Sequence, residues 1–149
     1  HDRDVFFSRL ASSDTAASPI IAATRGFTYA FTDYSVDKLH SLPNVLLVDD
    51  EVDTIALVRH GRAGKGIASE ALLRWHMHKN TGGQERLKLL GEIDREYDRG
   101  FIILPHSKLK LGPLNSILNR LKQSGDLATL FAKFGLPEPS LVPPSFPEQ

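Results

Sequence analysis

The chain has 149 residues, with 18 Lys and Arg balanced by 18 Asp and Glu, and it contains no cysteine. Its length predicts one domain, and 41% hydrophobic residues are enough for a core. The zero net charge argues against a phosphate-driven nucleic-acid binder. The missing cysteine removes any disulfide, thiolate nucleophile or thiolate metal site, and no apolar run approaches the ~20 residues that span a bilayer.

Residues 1–19 contain DVFFSRL (4–10), a strand candidate, and continue as ASSDTAASP (11–19), which is small, polar and breaker-rich. The expectation is an N-terminal arm or the remnant of a first lobe. IIAAT (20–24) reads as a buried strand, and SVDKLHSL (35–42) as a short helix capped by Ser35 and ended by Pro43 and Asn44. VLLVD (45–49) is a continuous apolar run, the pattern of a strand buried on both faces. DEVDTIALVRHG (50–61) predicts a helix with Asp50 as cap, Asp53 at capping-box spacing, a stripe of Val52, Ile55 and Ala56, and Gly61 as stop. KGIAS (65–69) is a short strand, and a helix starts near Ser69 and breaks over Asn80 to Gly83. RLKLLGEI (86–93) and RGFIILPH (99–106) are two further strand candidates, the second apolar enough to be central. GPLNSILNRLKQSG places Leu114, Ile117, Leu118 and Leu121 on one helical face, with Pro113 at the start and Gly125 at the end. DLATLFAKFG repeats the device with Asp126 as cap, Leu127, Leu130, Phe131 and Phe134 as stripe, and Gly135 as stop. Residues 137–149 are a Pro-rich, extended tail. Strands alternating with helices predict an α/β domain over 20–136, with a mostly parallel sheet flanked by helices and two amphipathic helices at its end.

In an open parallel sheet, ligands bind outside the carboxyl ends of the strands. The strand 20–24 ends in RGFTY. Arg25 offers a bidentate fork, Gly26 a close backbone approach, Thr28 a hydroxyl, and Tyr29 a phenol and a ring face. The plainer alternative is a surface turn with Phe27 tucked into the core. Ser69 and Glu70 stand at the corresponding end of the strand 65–69. Glu70 either meets a ligand amine or is a first-turn acid favoured by the helix dipole. Arg25, Gly26, Phe27, Thr28, Tyr29, Ser69 and Glu70 form the candidate ligand-binding set. Asp49, Asp50 and Asp53 are better explained by helix capping than by a metal. His76 and His78 point about 200° apart on a helix, so they do not share one ion. There is no G-x-S-x-G elbow, and His40, His60 and His106 have no linked Ser/Asp signature. No catalytic residue, metal or cofactor is expected.

Several of these motifs together resemble bacterial extracellular solute-binding proteins of family 3, which have the type II periplasmic-binding-protein fold, and mainly their second lobe. RGFTY matches the family's Gly-x-x-Tyr loop, and VLLVDDEVDTIALVRHGRA its apolar strand and its helix ending in Gly-Arg, here Gly61-Arg62. KGIASE matches the strand that ends at a ligand contact, and IILPHSKLKLGPLNSILNRLKQSGDLATLFAKFG the terminal strand, Ser-Lys pair and helices. The resemblance covers residues 20–136. It departs where Gly64 and Lys65 stand near the Asp that usually follows Gly-Arg, and in carrying little of a first lobe. It implies a binding module for a small polar solute such as an amino acid, serving transport or sensing without chemistry. The implied partners are an ABC-transporter permease or a sensor kinase, and the implied location is periplasmic or extracellular. A homodimer through the N-terminal arm would supply a missing wall of the site. The alternatives on the same fold are a cyclohexadienyl-dehydratase-like enzyme, with Glu70, His76 or His106 as acid/base candidates, and a cytoplasmic effector-binding domain of a transcription regulator.

Overall fold

The computed structural model describes residues 1–10, 18–80 and 87–139; residues 11–17, 81–86 and 140–149 lie outside the described residues. The chain divides into an α/β unit, Asp2–Tyr97, and a terminal unit made of His1 and the residues from Asp98 onward.

The α/β unit is a five-stranded sheet in the order β3-β2-β4-β1-β5. Its strands are β1 (Asp2–Arg9), β2 (Ile21–Thr24), β3 (Val45–Val48), β4 (Lys65–Ser69) and β5 (Leu87–Tyr97). β2 pairs in parallel with β3 and β4, whereas β1 is antiparallel to both β4 and β5. Four strands therefore run in one direction and β1 alone is reversed. The expected arm is thus a strand inside the sheet. Both edges of β1 are hydrogen-bonded, so Asp2–Arg9 has no free edge through which to build a dimer.

Alternation along the strands explains how one sheet carries two cores. Val5, Phe7, Ala22 and Ala68 point to one face, where they meet Ile55 and Val58 of α2 (Glu51–Arg59) and Leu73 of α3 (Glu70–Lys79). Phe6, Ala23 and Ile67 point to the other, where they meet Tyr29, just before the 3-10 turn Ala30–Thr32, and Leu39 of α1 (Val36–Ser41).

Two of the caps read from the sequence, Ser35 and Asp50, are present. The Ser35 hydroxyl accepts from the Lys38 amide at 3.2 Å and the Asp50 carboxylate from the Asp53 amide at 2.7 Å. Gly61 ends the α2 region with φ +70°. Each cap satisfies an amide that the first turn leaves open. Asp50→Ala is expected to cost about 1 kcal/mol, read as a lowered urea midpoint with unchanged slope; an unchanged midpoint would show that the cap is energetically idle.

Several expectations are corrected. The α2 stripe is Thr54, Ile55 and Val58, while Val52 is exposed, because α2 lies over β2 and β4 on the side set by residue 55. β3 is only half-buried, with Leu46 exposed, because it is an edge strand rather than a central one. FIILP is not a strand: residues 101–104 make no ladder, and Ile102 is 91% exposed. Apolarity alone does not make a strand without a neighbouring strand to receive its hydrogen bonds.

The terminal unit contains α4 (Leu111–Gln123) and α5 (Asp126–Ala132), joined at Gly125 with φ +78°. Pro113 stands third in α4 rather than first, and Gly125, not Asp126, occupies the N-cap position of α5. Leu127 is buried, and Leu114, Leu118, Leu121 and Phe131 are half-buried, whereas Ile117, Leu130 and Phe134 are exposed.

Candidate functional site

The parallel pairing of β2 with β4 brings the two predicted segments to one edge of the sheet. Ile21 is level with Lys65 and Ala22 with Gly66, and this register carried forward puts Arg25 level with Ser69. β3 ends beside them, with Thr24 opposite Val48 and the Arg25 amide donating to the Val48 carbonyl at 2.8 Å. The reversed strand β1 adds its beginning to the same edge, with Asp4 opposite Ser69.

Arg25, Gly26 and Phe27 are exposed on this edge and Thr28 is half-buried. Gly26 has φ +80°, a conformation that glycine adopts without a Cβ penalty, and the space beside it is open. One guanidinium nitrogen of Arg25 stands 3.7 Å from the Asp49 carboxylate, and both groups are well solvated. Tyr29 is placed differently. It is 1% exposed, and its ring packs with Phe27 and Phe31. Its hydroxyl accepts from the Thr24 amide at 2.9 Å. Burial pushes the phenol up to about 12. Tyr29 therefore anchors the loop from inside, leaving Arg25 and Gly26 outside.

Ser69 and Glu70 are buried where β4 becomes α3. The Ser69 amide donates to the Glu51 carboxylate at 2.6 Å, and its hydroxyl makes no capping bond. Glu70 is 7% exposed and has two cationic partners. Arg3 Nε donates to one of its oxygens, and Arg74 donates to the other through Nε at 2.8 Å and Nη2 at 2.5 Å. The hydrogen bond from Arg3, against the opposing effect of burial and with further help from Arg74, holds the Glu70 carboxyl below the usual carboxylate range. Arg3 is correspondingly raised by the same pairing.

Further polar contacts brace this edge. Asp4, 2% exposed, accepts from Arg95 Nε at 2.7 Å and from the Tyr97 hydroxyl at 3.0 Å. Asp94 accepts from the Ala30 and Phe31 amides at 2.8 and 2.9 Å, tying the loop after β2 to β5. Of these partners only Arg74, one turn from Glu70, had a local signal, the i, i+4 spacing. Arg3, Glu51, Asp4, Asp94 and Arg95 act across the sheet or between elements. Among the described residues no group of three or more His, Asp or Glu side chains is placed to hold a metal ion. His76 is half-buried and His78 exposed; desolvation, with Arg59 and Lys79 nearby, keeps His76 below its usual value.

The sheet order and the crossover connections are those of one lobe of the type II periplasmic-binding-protein fold. No protein-family model matches the sequence, and no curated protein matches it. Solved structures do. The GluR0 ligand-binding core from Nostoc punctiforme, in complex with L-glutamate, is 21% identical with a TM-score of 0.59 over 89% of this chain and 60% of its own. The L-cystine solute receptor of Neisseria gonorrhoeae is 16% identical, with a TM-score of 0.56 over 92% of this chain and 57% of its own. The second substrate-binding domain of a putative amino acid ABC transporter from Streptococcus pneumoniae is 15% identical, with a TM-score of 0.59 over 89% and 60%. The chain thus spans about 60% of the length of these structures.

Proposed function

We propose that this chain is the solute-binding lobe of a transport or sensing protein, taking a small polar solute of the amino-acid class at the carboxyl edge of its sheet. The observation that carries the reading is the meeting of two loops, 25–28 and 69–70, on one strand edge of a fold shared with structures described as ligand-binding cores and solute receptors. Arg25 and the open backbone at Gly26 supply donors to an anionic group. The module performs no chemistry. Its partners would be a membrane permease or a sensor kinase, and its place of work periplasmic or extracellular. A lobe acting alone covers one side of a ligand, so millimolar affinity is expected of it, against the burial of most of a ligand's surface in a complete site.

The test is an amide-resolved NMR titration of the full 149-residue chain with L-glutamate, L-glutamine and L-arginine. Shifts confined to residues 25–28, 49–51 and 69–74 are expected for at least one of them, and Arg25→Ala should weaken that ligand about tenfold, the scale of a hydrogen bond to a charged group. Shifts elsewhere, or none, would overturn the reading.

A further inference from the structure

Asp94 lies outside the candidate ligand set, and nothing in its local sequence marks it. The ladder of β1 with β5 singles it out. Asp4 stands opposite Arg95, but Val5, the next residue of β1, stands opposite Ile93. Asp94 is therefore the extra residue of a β-bulge, which leaves such a residue unpaired and can re-aim its side chain. Residues opposite each other in a ladder share a face. Val5 points to the face covered by α2 and α3. In an unbroken ladder Asp94 would stand opposite Val5 and point there too. With the bulge Ile93 takes that place, and the Asp94 carboxylate reaches the opposite face, where Phe6, Tyr29 and Phe31 pack.

There it accepts from two successive amides, Ala30 at 2.8 Å on one oxygen and Phe31 at 2.9 Å on the other. Both open the 3-10 turn Ala30–Thr32, where helical amides have no partner within the helix. The candidate segment 25–28 is thus held from both ends. On its near side the Arg25 amide donates to the Val48 carbonyl and the Thr24 amide to the Tyr29 hydroxyl. On its far side stands Asp94. Between these anchors the Phe27 amide reaches the Thr24 carbonyl only at 3.4 Å, and Gly26, with φ +80°, has open space beside it. The turn is followed by Asp33 and Tyr34, both in the left-handed region with φ 53° and 59°, which a bulky side chain seldom adopts. Such backbone persists where its surroundings fix it, and the charge-assisted grip of Asp94 lies immediately before it. A loop that its ligand must first order binds more weakly, in proportion to the fraction of time it spends in the binding shape.

We propose that Asp94 is a positioning residue: aimed by the bulge in β5, its carboxylate fixes the 3-10 turn and through it the shape of residues 25–28, so that the ligand loop is ordered before a ligand arrives. This step rests on the binding-module reading above.

The experiment compares the full chain with Asp94→Ala and Asp94→Asn, by backbone nitrogen relaxation and by amide-resolved titration with L-glutamate, L-glutamine and L-arginine. In the wild type, residues 26–28 are expected to have order parameters near the rigid-backbone value of about 0.85, falling below about 0.6 in Asp94→Ala. The probe that binds the wild type should bind Asp94→Ala about tenfold more weakly, as the competent fraction falls to about a tenth. Asp94→Asn, which keeps one oxygen acceptor, should fall between the two on both measures. A role in stability alone would lower the urea midpoint and leave the affinity of the folded protein unchanged. Should Asp94→Ala fail to fold, Asp94→Asn decides. Unchanged order parameters at 26–28, or unchanged affinity, in the folded variant would overturn the proposal and leave the binding-module reading standing. Absence of shifts with all three probes on the wild type would overturn both.

Discussion

Arg95→Leu is expected to destabilise the α/β unit by roughly 3–5 kcal/mol, the cost of removing one member of a buried ion pair, and to cost more than Asp4→Leu. The asymmetry follows from where the two charges sit. The Asp4 side chain is 3% exposed and that of Arg95 31%. With Arg95 gone, a carboxylate stays buried in β1 with the Tyr97 hydroxyl as its remaining side-chain donor. With Asp4 gone, a guanidinium that already reaches solvent rehydrates and keeps its place over the Tyr97 ring, 5.1 Å away. That second loss is closer to one charge-assisted hydrogen bond, roughly 1.5–3 kcal/mol. Urea unfolding of the two variants measures the order directly. Equal losses, or a larger loss for Asp4→Leu, would mean that the carboxylate is not held as a buried charge.

The parts of this molecule that the sequence made legible are those decided within a few residues. Ser35, Asp50, Gly61 and Gly125 act on amides or turns three or four positions away, and each does in the structure what its type and place predicted. The order of elements from IIAAT to the helix ending at Lys79 follows from such signals. What stayed hidden is non-local. DVFFSRL shows a strand's composition but nothing in it says that it runs against β4 and β5. The polar partners at the candidate edge are far apart in the chain, Arg3 and Glu70 by 67 residues and Asp4 and Arg95 by 91. FIILP fails for a related reason. Its apolarity states that covering it is favourable, but not which strand would pair with it. Glu70 was singled out by position, and in the structure its carboxylate is held by two guanidiniums, one of which lies outside any local pattern.

Phe7→Ala and Gly66→Ala are each expected to destabilise the α/β unit, but together to cost less than their sum. Phe7 is fully buried and stands opposite Gly66 across the β1–β4 ladder. A methyl at position 66 would lie 2.7 Å from Cζ of Phe7 and 2.9 Å from Cγ2 of Val58, inside contact distance of both. The ring thus occupies the space that the missing Cβ leaves. Forcing an alanine in beside it costs about 1–3 kcal/mol through displaced side chains. Removing the ring costs about 3–5 kcal/mol, from lost burial and the cavity left behind. In the double variant the new methyl points into that cavity, so the clash with Phe7 is gone and a little of the void is filled. A coupling of about 1–2 kcal/mol is expected, within the range for contacting residues. The measurement is a double-mutant cycle in urea, with all four proteins showing one transition of equal slope. Additivity within about 0.5 kcal/mol would show that Gly66 is small for a reason other than the ring, with Val58 on α2 then the neighbour that excludes a side chain.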